Sequence, residues 1–225
     1  MFSLDNLIKL LEQEKDLGTL SILIKKEKKK RKGVLLNELK ERYRNCKNCP
    51  LWKTRRNFVF GEGNPYAKLM FIGEAPGYDE DVQGKPFVGK AGKLFTKIIN
   101  AMGLKREDVY ITNVVKCHPV KDVKNPHKRG NDRPPTDEEI EKCIHILKKQ
   151  IEIIKPKIIC LLGATALKAI LGKKEGIKAM RGKLFKFMGI DTIATFHPAF
   201  LLRNPNFKKE CWEDIKKIIS ILKNA

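Results

Sequence analysis

The sequence predicts a three-layer α/β/α domain, in which helices cover both faces of a central four-stranded, mainly parallel sheet. Short apolar runs typical of buried strands alternate along the chain with helical patterns, and turn residues end each run. The predicted strands are 69–72, 109–115, 158–162 and 192–196, and the predicted helices are 91–102, 136–154, 164–171 and 207–223. A further run at 184–188 can add a strand that forms a hairpin through Gly189.

The amino-terminal third begins with a basic segment that we predict to lie apart from the main domain. Residues 1–24 have apolar side chains at helical spacing, and the run KKEKKKRK follows at 25–32 and ends at Gly33. Runs of like charge are usually solvated, although this one can also contact phosphates. We therefore predict a basic appendage and linker at 1–33 and a single domain at 34–225, whose first helix starts at Leu35.

Composition and charge narrow the class of protein. The 225 residues are 42% hydrophobic and 32% charged, which is a globular composition, and no apolar run is long enough to span a membrane. The chain also starts without a signal-peptide pattern, so we expect a cytoplasmic protein. Its formal net charge of +21 favours an anionic polymer such as nucleic acid as partner, although a lysine-rich surface alone gives the same charge.

Small and polar residues follow each predicted strand. The first strand ends in GEAPG at 73–77, the second at Asn113, the third at Gly163, and the fourth at His197. In a parallel sheet these segments meet at one edge, where α/β proteins bind ligands. The simpler alternative for 73–81 is an ordinary turn followed by a solvated acidic loop.

The six cysteines divide into two sets. Cys160 and Cys211 fall at buried positions of a strand and a helix, which predicts core thiols. The remaining four can form a metal site, and they are Cys46, Cys49, Cys117 and Cys143. Their spacing does not distinguish zinc from an iron–sulfur cluster, while a disulfide framework or a redox C-x-x-C fits less well.

Four motifs carry a family resemblance: GEAPG at 73–77, GKPFVGKAG at 84–92, TNVVKC at 112–117 and HPAFLLR at 197–203. With these motifs in this order, the chain resembles the family 4 uracil-DNA glycosylases, thermostable enzymes that carry a [4Fe–4S] cluster. The resemblance runs from about residue 38 to the carboxyl terminus. Residues 1–33 lie outside it, and the loop at 118–135 looks longer than usual.

The resemblance implies the fold predicted above and a cofactor. The four cysteines outside the core occupy the family's cluster positions, which favours a [4Fe–4S] cluster over zinc. We expect the cluster to be structural and to hold the amino-terminal helix and the long loop against the domain.

The resemblance also implies how the base is recognised. A glycosylase extrudes the base from the duplex and binds it in a pocket. Phe87 would stack on the uracil ring, and Asn113 would pair with O4 and N3–H. Glu80 would stand near C5, where it would obstruct the methyl group of thymine. Without the resemblance, Phe87 would be read as a core aromatic residue, Asn113 as a cap at the end of a strand, and Glu80 as a solvated acid.

Residues of the last motif are implied in catalysis and DNA binding. His197 would donate a hydrogen bond to uracil O2 and stabilise the leaving anion. Leu201 or Leu202 would fill the space that the flipped base leaves, and Arg203 would bind phosphate. Without the motif, His197 would be a structural histidine.

The position of the attacking water is open. Ala75 lies in the substrate site where related glycosylases have an aspartate that orients water, and alanine has no group for this. Glu74 or Asn131 can take that role, or both are structural and an ordinary water suffices.

We therefore expect a monomeric, nucleoid-associated enzyme that removes uracil from DNA. Two alternatives stay open: a domain that binds DNA without excising a base, and a glycosylase for another base, such as hypoxanthine or a damaged pyrimidine.

Overall fold

The computed structural model describes residues 18–173 and 175–224, and it describes side chains from residue 31 onward. Its centre is a six-stranded sheet in the order β1-β3-β2-β4-β6-β5. The strands are β1 Glu62–Gly63, β2 Leu69–Gly73, β3 Tyr110–Asn113, β4 Ile158–Leu162, β5 Leu184–Phe187 and β6 Ile190–Thr195. The four predicted strands form its parallel centre, and the predicted hairpin strand is present as β5.

The predicted count of four strands is wrong because both edges carry an additional antiparallel strand. β5 pairs with β6 at one edge, and β1 pairs with β3 at the other. Because β1 has two residues, it is too short to produce an alternating pattern in the sequence. The central strands β2, β3 and β4 are buried along their whole length, as expected for parallel strands covered on both faces.

Helices cover the two faces of the sheet and give it two cores. They are α1 Gly18–Tyr43, α2 Tyr78–Gln83, α3 Lys90–Ala101, α4 Asp137–Ile154, α5 Ala164–Leu171, α6 Ile177–Met180, α7 Pro198–Arg203 and α8 Lys208–Lys223. Alternate residues of β2 point to opposite faces: Met70 and Ile72 join the core under α4 and α5, and Leu69 and Phe71 join the core under α3 and α8. This is the predicted three-layer α/β/α arrangement.

The predicted start of a helix at Leu35, after a linker, is wrong. The helix α1 passes without interruption through the lysines and through Gly33. Glycine costs a helix about 1 kcal/mol relative to alanine, but lysine is a good helix former and packing can compensate. Lys32 Nζ donates to the Ile154 carbonyl at 2.7 Å, and Leu36 and Leu39 are buried. The predicted helical segment before residue 18 lies outside the described residues.

The helices in the described ranges include none that combines the length and the apolar character needed to cross a bilayer.

Candidate active site

A cavity of about 690 Å³ opens at the carboxyl edge of the parallel strands. Segments that follow β2, β3 and β6 form its floor, and the long loop before α4 forms one wall. Most of the predicted site residues line it: Glu74, Ala75, Glu80, Phe87, Asn113, His197 and Arg203. The predicted convergence of strand ends at one edge is therefore confirmed.

Asn113 is the last residue of β3, and its side chain is 2% exposed. Its amide oxygen Oδ1 has no hydrogen-bond partner among the described residues. A buried acceptor without a donor costs about 1–3 kcal/mol, and a ligand N–H would remove this cost. The amide has one donor group and one acceptor group for a ligand. A half-turn of the side chain exchanges their positions, so either group can face a given ligand atom.

Glycine at position 73 lets the recognition groups come close together. Gly73 pairs with Asn113 in the ladder between β2 and β3. A Cβ on Gly73 would lie 2.5 Å from Phe87 Cζ and would also overlap Asn113 Oδ1. Any larger residue at position 73 would therefore push the amide and the aromatic ring apart.

Phe87 is held in a backbone conformation that L-residues rarely adopt. Its φ of 53° lies in the left-handed region, and its side chain is 5% exposed. The Arg106 guanidinium fixes this turn by donating to the Pro86 carbonyl at 2.7 Å and to the Phe87 carbonyl at 3.1 Å. The Phe87 ring centroid lies 5.6 Å from that of His197, at an interplanar angle of 33°. The two rings thus share one region of the cavity.

His197 is the N-cap of α7, and this position sets its tautomer. Its Nδ1 accepts the Ala199 backbone N–H at 3.1 Å, so the ring proton of the neutral form resides on Nε2. Burial, together with the charge of Arg203, lowers the pKa of His197 to about 4. At neutral pH the residue is therefore an uncharged imidazole with Nε2–H available as a donor.

Glu80 is a brace between two loops. Its Oε1 accepts the backbone N–H groups of Val88 and Gly89, both at 2.9 Å, and its Oε2 accepts that of Gly77 at 3.2 Å. The carboxylate therefore joins the turn after β2 to the segment that carries Phe87. It lines the cavity as predicted, with both oxygens engaged by backbone.

Of the two candidates for positioning water, the structure places only one at the cavity. Glu74 lines the cavity, and one of its carboxylate oxygens accepts the Thr165 hydroxyl. Asn131 does not line it. Both amide hydrogens of Asn131 go to loop carbonyls, those of Asp122 at 2.9 Å and Asn125 at 3.1 Å, and its oxygen accepts the Asp122 N–H at 2.8 Å. The prediction that Asn131 positions water is therefore wrong, because its amide is fully used within the loop.

The structure also distinguishes the two leucines of α7. Leu201 is 1% exposed and packs in the core beneath α3 and α8, so its predicted contact with DNA is wrong. Leu202 is 44% exposed. Arg203 follows it and lines the cavity. Leu202 and Arg203 are thus the last two residues of α7, and Arg203 places this end of the helix beside the opening.

The four predicted cluster cysteines lie near one another. Cys117 and Cys143 are buried, and Cys46 and Cys49 are partly exposed. Burial raises the pKa of the Cys117 thiol to about 12, and the charges of Cys143 and Cys49 add to this effect. Burial likewise raises the pKa of Cys143 to about 11, and Cys49 and Cys46 contribute. All four thiols are therefore within electrostatic reach of at least one other.

No group of three or more cysteine, histidine or acidic side chains has metal-binding geometry within 18–173 and 175–224. The donor set nevertheless fits an iron–sulfur cluster, because four thiols from three separate segments converge and positive charge lies beside them. Arg55 Nη1 is 3.0 Å from Cys117 Sγ, and the charge of Lys116 acts on both buried thiols. The other two cysteines, Cys160 and Cys211, are core thiols as predicted.

Two functional side chains were not predicted. Arg106 begins a short 3-10 helix, Arg106–Asp108, that precedes β3. It gave no local signal, because its partners lie 19 and 20 residues earlier in the chain. Lys116 lies inside the TNVVKC motif and is fully buried. Its ammonium donates to the Asn113 carbonyl at 2.7 Å and to Gln150 Oε1 at 2.6 Å. Its position directly after the apolar residues Val114 and Val115 is the sequence feature that could have predicted a buried lysine.

Comparison with known proteins agrees with this geometry. The family model of the uracil DNA glycosylase superfamily matches residues 60–216. A type-4 uracil-DNA glycosylase of Thermotoga maritima is 45% identical over 193 residues, which cover 84% of this chain and 95% of that protein. A type-4 enzyme of Sulfurisphaera tokodaii is 46% identical over 81% of this chain and 83% of its own length.

A type-5 uracil-DNA glycosylase of Pyrobaculum aerophilum is 30% identical over 61% of this chain and 63% of its own length. Identity and coverage are therefore higher for the type-4 proteins, as the motifs predicted. The chain belongs to the uracil DNA glycosylase superfamily and, within it, to the type-4 uracil-DNA glycosylases.

Proposed function

We propose that the protein hydrolyses the N-glycosidic bond of uracil in DNA and leaves an abasic site. The observation that carries this proposal is the buried amide oxygen of Asn113, which has no partner among the described residues. Asn113 lines one cavity with the Phe87 ring and the neutral His197 imidazole. This set offers a hydrogen-bonding edge, an aromatic face and a preorganised donor. A flipped uracil needs all three.

Asn113 selects the base. Its amide N–H₂ donates to uracil O4, and its Oδ1 accepts from N3–H, which removes the cost of an unpaired acceptor. Cytosine presents the opposite arrangement, a donor at position 4 and an acceptor at N3, so both partners would be left unpaired in a buried site. Phe87 covers one face of the bound ring, and the Arg106 clamp fixes where that face lies.

His197 stabilises the leaving group. Cleavage of the glycosidic bond leaves negative charge on uracil, part of it on O2. The Nε2–H of His197 donates to O2, and the hydrogen bond strengthens as that charge grows. Because the imidazole is already neutral and its tautomer is fixed by Ala199, no reorganisation is needed during the reaction.

We place the attacking water beside the turn after β2, because Glu74 lines the cavity there. Glu74 is the remaining candidate for orienting this water, with one carboxylate oxygen held by Thr165. Ala75 contributes shape and no polar group. A dissociative reaction needs little base catalysis, so this role is modest.

Leu202 fills the space in the duplex that the flipped base leaves, and Arg203 binds an adjacent phosphate. The exposure of Leu202 supports the first role, and the position of Arg203 at the cavity supports the second. Uracil-containing DNA is thus the partner, and we keep the prediction of a monomeric, nucleoid-associated enzyme in the cytoplasm.

We further propose that Cys46, Cys49, Cys117 and Cys143 hold a [4Fe–4S] cluster. When bound, the cluster supplies iron–thiolate bonds that join the segment after α1, the segment after β3 and α4. Cys117 lies four residues beyond Asn113, so this join also fixes the strand end that carries base recognition.

The test is single-turnover release of base from duplexes that contain one uracil, hypoxanthine, thymine or cytosine, with the purified brown protein. We expect release of uracil and at least about a hundredfold slower release of cytosine, the discrimination that unpaired polar groups provide. Thymine has the same hydrogen-bonding edge as uracil, so its slower release should come from its C5 methyl group, which Glu80 would obstruct. Tight DNA binding without release of any base would favour the binding-domain alternative, and faster release of hypoxanthine would favour the other-base alternative.

A further inference from the structure

The long loop between β3 and α4 has a closed base. Val120 and Asp132 form an antiparallel bridge, and the Lys121 N–H donates to the Asn131 carbonyl at 3.0 Å. The buried His118 holds Asp132 through a contact of 2.7 Å between Nε2 and Oδ1. We call residues 120–132 the basic loop. Its two ends lie together, as in a compact Ω-loop.

Two polar side chains brace the interior of the basic loop. Asn131 binds the backbone of Asp122 and Asn125 through all three of its hydrogen bonds. The Asp122 carboxylate accepts the Lys124 N–H at 2.9 Å and the Asn125 side-chain N–H at 2.8 Å. The loop therefore has a fixed shape although it contains no helix or strand.

The basic loop carries more positive than negative charge. Lys121, Lys124 and Lys128 are exposed. None of the ion pairs in the described ranges involves these three side chains. Of the loop's acids, Asp122 accepts hydrogen bonds within the loop and its charge also acts on Lys128, and Asp132 is held by His118. An exposed set of three lysines on a braced loop is suited to an anion outside the protein.

The same loop reaches the cavity. Arg129 and Asp132 line its wall, and the Arg129 guanidinium pairs with Asp79 at 2.8 Å and lies 4.5 Å from the Tyr78 ring centroid. Asp132 also accepts the Tyr78 N–H at 3.1 Å. These contacts fix the loop to the helix α2 beside the opening. The loop therefore lies beside the entrance that a flipped nucleotide would use, and Lys128 directly precedes Arg129 at its wall.

We propose that the basic loop is a second DNA-binding surface, in which Lys121, Lys124 and Lys128 contact backbone phosphates next to the flipped nucleotide. Asn131 is a positioning residue that holds the loop in the shape for these contacts. The inference rests on the proposed function, since a base bound in the cavity leaves its flanking phosphates at the rim. Each phosphate contact releases counterions, so the loop should contribute affinity that depends strongly on salt.

The first experiment compares two triple variants that each lose three charges. The loop variant is Lys121→Gln/Lys124→Gln/Lys128→Gln. The control variant replaces exposed lysines near the amino ends of β2 and β4, at the opposite edge of the sheet, and it is Lys68→Gln/Lys155→Gln/Lys157→Gln. Binding is measured with a duplex that contains cleavage-resistant 2′-fluoro-deoxyuridine, from 50 to 300 mM NaCl, and uracil release is measured separately at saturating protein.

For the loop variant we expect the slope of log affinity against log salt to decrease by roughly two to three, about one for each lost phosphate contact. Affinity at 150 mM salt should fall at least about tenfold, while the rate of uracil release at saturation changes less than about threefold. The control should change the slope by less than about one. Equal slopes in the two variants would overturn the proposal. Absence of uracil release by the wild type would overturn the proposed function instead, and the binding comparison would still test the loop.

The second experiment tests the brace. Asn131→Ala should lower affinity and the salt slope in the same direction as the loop variant, and combining the two should add little, because both remove the same contacts. If Asn131→Ala instead kept the slope and reduced the rate at saturation, Asn131 would act in the chemical step and the positioning role would be wrong.

Discussion

Gly73 and Asn113 pair across the ladder between β2 and β3, and the absence of a side chain on Gly73 leaves room for the Asn113 amide. The same space admits the edge of the Phe87 ring. Recognition of the base edge and stacking on its face therefore depend on one small residue in the sheet.

Gly73→Ala should reduce single-turnover uracil release by at least about a hundredfold, because displacement of a recognition group by about 1 Å costs that much. The matched control is Gly176→Ala, whose added methyl group would meet nothing within 4 Å. Rates are measured at saturating protein, and thermal unfolding verifies that both variants fold. A Gly73→Ala rate within threefold of the wild type would show that the site tolerates the displacement.

Asn113→Asp should change which base is accepted. The ionised side chain offers acceptors alone, so it repels uracil O4 and can accept from the amino group of cytosine. Uracil release should fall, and cytosine release should rise relative to it. The measurement is single-turnover release from U:G, U:A and C:G duplexes, and an unchanged ratio of the two bases would contradict the assignment of Asn113 to recognition.

His197→Ala should slow uracil release by roughly two to three powers of ten, the usual effect of removing one donor to a developing anion. DNA affinity and base preference should stay nearly unchanged, because the hydrogen bond to O2 is strongest in the transition state. The same three duplexes provide the measurement. A large change in base preference would assign recognition to His197 instead.

Acid should destabilise the wild type through His197. Above pH 6.5 the residue is neutral in both folded and unfolded chains and has no effect on the pH dependence. Between pH 6.5 and about 4 the unfolded chain binds a proton that the folded protein does not, so the free energy of unfolding falls with falling pH. His197→Gln cannot titrate, so its decrease in guanidinium unfolding free energy over this range should be smaller. Parallel curves would contradict the lowered pKa.

The cysteines allow a test of the cluster. Cys117→Ser or Cys143→Ser should remove the brown colour and most of the iron, about four atoms per chain for a [4Fe–4S] cluster, and should lower the unfolding temperature. Cys160→Ser or Cys211→Ser should keep the colour, because these thiols lie in the opposite core. Absorption spectra and metal analysis provide the measurement, and a colourless native protein with stoichiometric zinc would contradict the cluster.

Elements with a strong local pattern were predicted well. The run 158–162 is apolar throughout and is β4 residue for residue, and Thr136 and Glu139 cap the predicted helix that became α4. The helix α1 was predicted to break because a lysine run and Gly33 suggest a linker locally. The contacts that oppose a break come from Tyr66 and Ile154, which are distant in the sequence.

In the site, too, local motifs were predictable from the sequence and contacts between distant residues were not. Motifs identified Asn113, Phe87 and His197, and strand topology brought them together. The motifs did not show which partners each side chain has, so Asn131 and Leu201 were assigned roles at the substrate although one braces a loop and the other fills a core. Arg106 was missed because its effect on Phe87 exists only after folding.

The brace made by Glu80 separates the shape of the cavity from the choice of base. A single carboxylate satisfies three backbone N–H groups from two loops, whatever base enters the cavity. A variant of this protein that accepted another base would still need those loops joined. Loss of Glu80 would leave these three groups without an acceptor and would uncouple the two loops.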